Sequence, residues 1–416
     1  MQESVNAIFE AAAAKYLSQV DAYHDGVSRQ HEIGGLVQAG LGHALGAVTD
    51  RETQPYPTTY AYLPDDESGE EPPTIVQSET IWYDSRRGKR RGPEYRLYYH
   101  DNEVTEKMTA GDLLVVAKFK GDGIAFIVTP QGSPAEAQLR HLFGLPALNE
   151  RMKAAIMPEQ SMLLPVRLLL EEIGINPFRD EDVDNDLEML LEHFPNGLPK
   201  TEILSGMARD LTGVDSRDDP DAALLAWLER EELLFRAYEK HLVADRLRKG
   251  FGEDGADVDE FVSFSLSVHN RRKSRVGYAF ENHLTTVFQQ HGLQFERGKG
   301  KLYTEGKQQP DWMFPSFSAY HDPLFPTNKL TLLGAKTTCK DRWRQVLAEG
   351  DRLERKYLAT LEAGISERQT RQMQEKNLQL IVPRAVHGTY LPSQAEWLYT
   401  LSDFVLEVQI KAPETL

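Results

Sequence analysis

Asp311, Lys336 and Glu349 follow one another at intervals of 25 and 13 residues, and Glu281 lies upstream of all three. Asp311 belongs to a Pro-Asp pair that opens the aromatic run PDWMF. Lys336 ends the apolar segment LTLLGAK. These are the parts that hydrolysis of a phosphodiester requires. The attacking water must lose a proton, and the pentacovalent phosphorus must shed negative charge. A hard divalent cation held by carboxylates supplies both effects. An ammonium orients the water and stabilises charge at the phosphate. On this reading Asp311 and Glu349 are metal ligands and Lys336 is the water-positioning group. Glu281 completes the ligand shell or holds a metal-bound water. The same residues also allow a plainer reading: a turn or cap at Asp311, a solvated strand end at Lys336 and a surface glutamate at 349.

Lys340-Asp341-Arg342-Trp343-Arg344 comes directly after the lysine, at an expected helix N-terminus. Such a terminus offers free backbone N–H groups and a favourable dipole to an anion. Arginine can bond guanine O6 and N7 in bidentate fashion, and aspartate accepts from cytosine N4. The cluster thus suits readout of G·C pairs, or else it is a charged helix start with weak local salt bridges.

A strand, the helix after it and an upstream helix would have to bring these side chains to one sheet edge. The pattern supports that. Val276 to His291 predicts a helix whose Phe280, Leu284, Val287 and Phe288 form one apolar stripe, with Glu281 at its edge. Leu330 to Lys336 and Leu378 to Val382 read as buried strands, and Asp341 to Tyr357 as the intervening helix. Strand–helix–strand alternation implies α/β layers.

Earlier in the chain the pattern changes. Residues Thr58–Leu63, Thr74–Tyr83, Tyr95–His100, Asp112–Lys120 and Gly123–Thr129 are short, rich in Val, Ile, Tyr and Thr, and bounded by turn signals. They predict a small barrel or twisted sheet after a first helix, MQESVNAIFEAAAAKYLSQ. Met162–Ile173 and Ala222–Leu247 read as helices, and the acidic run at 180–188 as a solvated linker. The expected organisation is 1–150, a mostly β domain; 151–215, a helical and acidic linker region; and 216–416, an α/β domain.

Composition sets the outer limits. A chain of 416 residues with 40% hydrophobic and 27% charged residues is globular in bulk. The single cysteine, Cys339, excludes an intrachain disulfide and a multi-cysteine zinc site, and suits a reducing cytoplasm. There is no run of 18 apolar residues, so no membrane span is expected, and the first segment lacks a signal peptide's basic start. The net charge of −17 would repel phosphates if spread evenly. It is not, because base gathers at 86–96 (RRGKRRGPEYR), 271–275 (RRKSR) and 336–344. Local positive surfaces of that kind can hold nucleic acid. Cys339 and Trp343 read as packed side chains, and His291 and His321 as structural.

The segments SVHNRRKSRVGYAFENHLTTVFQQHGL, KQQPDWMFPSFSAYHD and GAKTTCKDRWRQVLAEGDRL closely resemble the EcoRII family of type II restriction endonucleases. The resemblance covers roughly residues 225–382. It implies an α/β PD-(D/E)XK nuclease domain, with a mixed central sheet flanked by helices, at the C-terminus. It also implies that Glu281, Asp311, Lys336 and Glu349 form a Mg²⁺-dependent active site. Gly334 stands where nucleases of this fold usually carry an acid two residues before the lysine. In this family that carboxylate comes from the next helix, at the position of Glu349.

The resemblance further implies that Lys340, Asp341 and Arg342 read a CC/GG-containing palindrome, where related enzymes begin the cluster with arginine. A homodimer acting on double-stranded DNA and leaving 5′-phosphate ends follows from the same likeness. Arg271, Arg272, Lys273 and Arg275 would then position the DNA backbone or contact the second subunit. TIWYDSRRGKRRGPEYR resembles the DNA-binding segment of the family's N-terminal effector domain, a B3-like (pseudo)barrel. That likeness implies DNA contacts from His31, Arg86, Lys89, Arg90, Arg91, Glu94 and Arg96, a second DNA site, and an effector domain that occludes the catalytic one until it is bound. The competing readings are a non-cleaving, sequence-specific DNA-binding regulator on a nuclease scaffold and a structure-selective nuclease.

Overall fold

The computed structural model describes residues 4–22, 31–48, 53–65, 71–87, 89–159, 161–178, 186–253, 255–300, 302–339 and 343–412. Two compact units divide the chain. The first comprises Met1–Pro177 with the short stretches Ala363–Gln369 and Gly388–Leu391. The second comprises the remainder.

The first unit is built on eight strands: β1 (Phe9–Tyr16), β2 (Glu32–Ile33), β3 (Gln54–Tyr62), β4 (Thr74–Asp84), β5 (Tyr95–Tyr99), β6 (Leu113–Phe119), β7 (Ile124–Thr129) and β8 (Lys153–Ala154). Their order in the sheet is β2-β5-β4-β3-β7-β6-β1-β8, with β3 and β7 parallel and every other pair antiparallel. The sheet curls around one core that includes Tyr60, Trp82, Tyr99, Val116 and Phe126. The five strands expected from turn signals all form, and the β6–β7 turn uses Gly123 at φ +98°.

The expected first helix does not form as such. Only Val5–Ile8 is helical, and FEAAAAKY is β1, paired residue by residue with β6 from Phe9↔Phe119 to Tyr16↔Leu113. Alanine favours helix in isolation, but tertiary pairing overrides propensity. Ala12, Ala13 and Ala14 are buried on both faces of a crowded sheet, where small side chains fit.

The second unit has a five-stranded sheet of order β13-β12-β11-β10-β9. Its strands are β9 (Glu296–Arg297), β10 (Trp312–Phe314), β11 (Thr331–Lys336), β12 (Lys356–Thr360) and β13 (Leu378–Ile381). The β9–β10–β11 part is antiparallel and the β11–β12–β13 part parallel, so the sheet is mixed. Phe288, on the long helix Val258–Gln290, and Phe404, on Leu401–Lys411, pack edge-to-face against Phe314 on one face of the sheet. The short helix Trp343–Ala348 covers the other face, where its Val346 lies against Gly334 and leaves no room for a side chain there. The expected α/β layering is therefore present.

Two boundaries differ from expectation. The helix expected over 341–357 stops at Ala348, because Gly350 at φ +65° turns the chain, and Tyr357 belongs to β12. The helix expected from Val276 begins at Val258. Residues 180–185 of the acidic run lie outside the described residues, but Asp186 takes a two-pronged ion pair from Arg230 at 2.6 and 2.8 Å. Among the described residues, no helix is long and apolar enough to cross a membrane.

Candidate active site

Asp311 precedes β10 directly, and its Oδ2 accepts the Ala335 N–H at 2.7 Å, which ties it to the strand that ends in Lys336. Glu281 projects from the Val258–Gln290 helix. Glu349 is the first residue beyond the Trp343–Ala348 helix rather than a member of it. The four side chains form one electrostatic cluster. Burial pushes the carboxyl groups of Asp311, Glu281 and Glu349 above their usual range. The charge of Asp311 raises both glutamates further, and Lys336 draws all three back. Glu349 is pushed up to about 7. Its Oε2 is buried with no hydrogen-bond partner.

An uncompensated buried carboxylate beside another acid is costly unless positive charge is supplied. The donor set therefore fits a hard divalent cation. No group of three His, Cys, Asp or Glu side chains among the described residues forms a ready-made metal cluster. Magnesium tolerates this, since it commonly takes one or two carboxylates and fills its other positions with water and phosphate oxygens.

Gly334 leaves no place for an acid on the strand itself. A Cβ at 334 would lie 2.7 Å from Val346 Cγ2. The strand gives up its side chain there so that the helix leading to Glu349 can lie flat on the sheet.

The turn after Glu349 is held by groups that sequence alone does not single out. The Tyr320 hydroxyl sits 2.6 Å from both Glu305 carboxylate oxygens and accepts the Arg352 N–H at 3.3 Å. Glu305 accepts the Asp351 N–H at 3.2 Å, and Arg352 Nη1 donates to the Asp322 carbonyl at 2.7 Å. Lys356 is buried, bonds the Leu347 carbonyl and adds its positive charge near Glu349. These bonds hold the backbone that follows Glu349, and losing an outer-shell partner of a metal ligand commonly costs about 10–100-fold in activity. On the phosphodiester-hydrolysis reading of these residues, Tyr320→Phe should therefore slow cleavage of DNA by up to roughly that factor and leave binding in Ca²⁺ near wild type. Single-turnover rates beside gel shifts check it.

Glu349 also gives a stability prediction. Its folded-state carboxyl titrates near 7, against about 4.3 for an unperturbed glutamate. The stability this group contributes is fully present below pH 4 and lost as pH rises through 7. Without metal, Glu349→Gln should melt higher than wild type at pH 8. The expected gain is roughly 2 kcal/mol, on the order of 5 °C. The gap should narrow as pH falls and close below about pH 4. A melting difference independent of pH would contradict this assignment.

Arg297, from β9, was not marked by sequence pattern either. Its Nη2 donates to Glu281, and its guanidinium lies 5.2 Å over the Trp312 ring. Of the basic residues on the Val258–Gln290 helix, Arg272 Nε bonds Glu239 at 2.6 Å, and Arg275 is buried over Phe235 and donates to the Pro199 carbonyl. Arg271 is half-buried and Lys273 exposed. Lys340, Asp341 and Arg342 lie outside the described residues.

In the first unit the basic loop after β4 is closed at its base. Asp84 Oδ1 accepts the N–H groups of Arg86 (3.0 Å) and Glu94 (2.7 Å). Arg86 pairs with Glu94 at 2.6 Å, and Arg96 bridges Glu94 (3.2 Å) and Glu32 (2.7 Å), the last a partner the sequence did not suggest. Lys89, Arg90 and Arg91 are exposed at the tip. His31 stacks on Tyr98 and Tyr99 and faces Asp101 at 3.4 Å.

Residues 235–405 match a protein-family model described as EcoRII C terminal. Over 215 residues the chain is 42% identical to the type II restriction enzyme EcoRII of Escherichia coli, a match covering 52% of this chain and 50% of that protein. The chain thus spans about half the length of the curated relative it matches. Among solved structures it is similar to metal-depleted Ecl18kI in complex with uncleaved DNA (19% identity, 54% of this chain and 82% of that one, TM-score 0.44). It is also similar to the restriction endonuclease PspGI in a substrate DNA complex (17%, 51% and 93%, 0.43). A third likeness is to the B3 domain of the UbaLAI restriction endonuclease with cognate DNA (14%, 36% and 91%, 0.21).

Proposed function

We propose that the chain, whose residues 235–405 fit the EcoRII family, is a Mg²⁺-dependent type II site-specific deoxyribonuclease. It cuts both strands of DNA at a short palindromic site containing CC/GG and leaves 5′-phosphates. The observation that carries this reading is the convergence of three half-buried carboxyl groups and Lys336, with an orphaned buried oxygen on Glu349. Asp311 and Glu349 would hold the cation. When bound, it lowers the pKa of the attacking water and neutralises charge at phosphorus. Lys336 orients that water and stabilises the phosphate oxygens. Glu281 completes the carboxylate set. Ala335 N–H keeps Asp311 aimed, and the Glu305–Tyr320 pair does the same for the turn after Glu349.

The two-fold symmetry of a palindrome calls for a homodimer. An exposed apolar stripe of Val258, Val262 and Leu266 on the long helix supports such self-association. Lys340, Asp341 and Arg342 read the bases, with Arg271, Arg272 and Lys273 near the backbone. The first unit takes a second copy of the site through His31, Arg86, Lys89, Arg90, Arg91, Glu94 and Arg96, and its occupancy stimulates cleavage.

Plasmid digestion in Mg²⁺ with mapping of the ends tests the activity. Discrete fragments with 5′-phosphates support it, a smear points to a nuclease without sequence choice, and binding without cutting points to a regulator. Adding a second, uncleavable duplex to a one-site substrate tests the stimulation, and sedimentation tests the dimer. An unchanged rate would remove the effector role.

A further inference from the structure

Arg297 is fixed to the carboxylate cluster from both ends. Its backbone, in β9, stands opposite Trp312, and Gly298 N–H donates to the Asp311 carbonyl at 3.3 Å. Gly298 must be glycine for that approach, since a Cβ there would lie 2.1 Å from the Pro310 carbonyl oxygen. The side chain then crosses the Trp312 ring and ends on Glu281. Both partners are mostly buried, with side-chain exposures of 19% and 24%, so water screens the pair weakly. Glu281 has no other described side-chain partner to set its direction, and its neighbours in charge are Asp311 and Lys336. A guanidinium in a planar fork fixes a carboxylate more tightly than an ammonium can.

We propose that Arg297 is a positioning residue: it clamps the Glu281 carboxylate beside Asp311, and through that contact organises the acidic cluster for one hydrated divalent cation. The proposal rests on the nuclease reading above. It differs from a purely structural role, in which Arg297 would only cover the face of Trp312 and Glu281 would be indifferent to it.

The test compares full-length wild type, Arg297→Gln, Arg297→Lys, Glu281→Gln and the Arg297→Gln/Glu281→Gln double variant. Mn²⁺ affinity of the DNA-free proteins is read by calorimetry, and single-turnover cleavage in Mg²⁺ is read beside it. Arg297→Gln should weaken Mn²⁺ binding and slow cleavage by about 10–100-fold each, as loss of a ligand-orienting partner does. Arg297→Lys should show a smaller loss in the same direction. The double variant should match Glu281→Gln, because a clamp has no effect once its target is gone. Mn²⁺ affinity of Arg297→Gln equal to wild type overturns the proposal. So does a loss from Arg297→Gln that is as large in the Glu281→Gln background as in wild type. Should melting show that Arg297→Gln does not fold, Arg297→Lys, alone and combined with Glu281→Gln, is held to the same two criteria. Failure of the nuclease reading has a separate sign: wild type itself would leave DNA uncut, while the Mn²⁺ comparison would still decide the role of Arg297.

Discussion

Asp311→Ala should abolish cleavage, slowing the single-turnover rate by about 10³-fold or more, because on the proposed reading several kcal/mol of transition-state stabilisation would pass through the ion that Asp311 would hold. Binding should respond in the opposite sense. Three acids repel a phosphate, and removing one leaves affinity for the DNA site unchanged or higher when measured without divalent cation. Asp311 also accepts the Ala335 N–H, so the alanine variant loses a structural bond as well. Asp311→Asn keeps an acceptor there and separates the two effects. It should melt no lower than wild type and still fail to cut. Normal cleavage by either variant would remove Asp311 from the site.

Lys336→Met should cost about 10²–10³-fold in rate, the scale seen when a single group that stabilises developing negative charge is lost. Its signature lies in the metal dependence. The Lys336 ammonium draws down the carboxyl groups of Glu281, Asp311 and Glu349. Without it the cluster is more negative, so affinity for a divalent cation at pH 8 should not fall. Raising Mg²⁺ should therefore leave the Lys336→Met rate unrecovered. A titration in which excess Mg²⁺ restores wild-type rate would show that the lysine helps only to organise metal.

The parts of this site that sequence exposed are those whose signal is local. Asp311 stands at a Pro-Asp break before an aromatic strand, and Lys336 closes an apolar run. Both features survive in the structure because strand ends are set by short-range pattern. Glu281 was legible from the apolar stripe on its helix. Glu349 was singled out by its spacing, but placed inside a helix that Gly350 in fact cuts short before Tyr357. Arg297, Glu305 and Lys356 carry no such marks. Their partners are 16, 15 and 9 residues away or more, and only the folded sheet and its turns bring them together. The alanine run of β1 fails for a related reason. Its strand state is dictated by β6, about a hundred residues on, while its own propensity points to helix. The strands bounded by Gly, Pro and Asp were legible because turn chemistry acts within a few residues.

The close contact between Gly334 and Val346 makes the location of the third acid an either-or choice. An aspartate grafted onto β11 at 334 would need the volume that Val346 occupies, so the graft would displace the short helix and withdraw Glu349 with it. Relocating the acid therefore calls for two changes in a fixed order, a smaller residue at 346 before a larger one at 334.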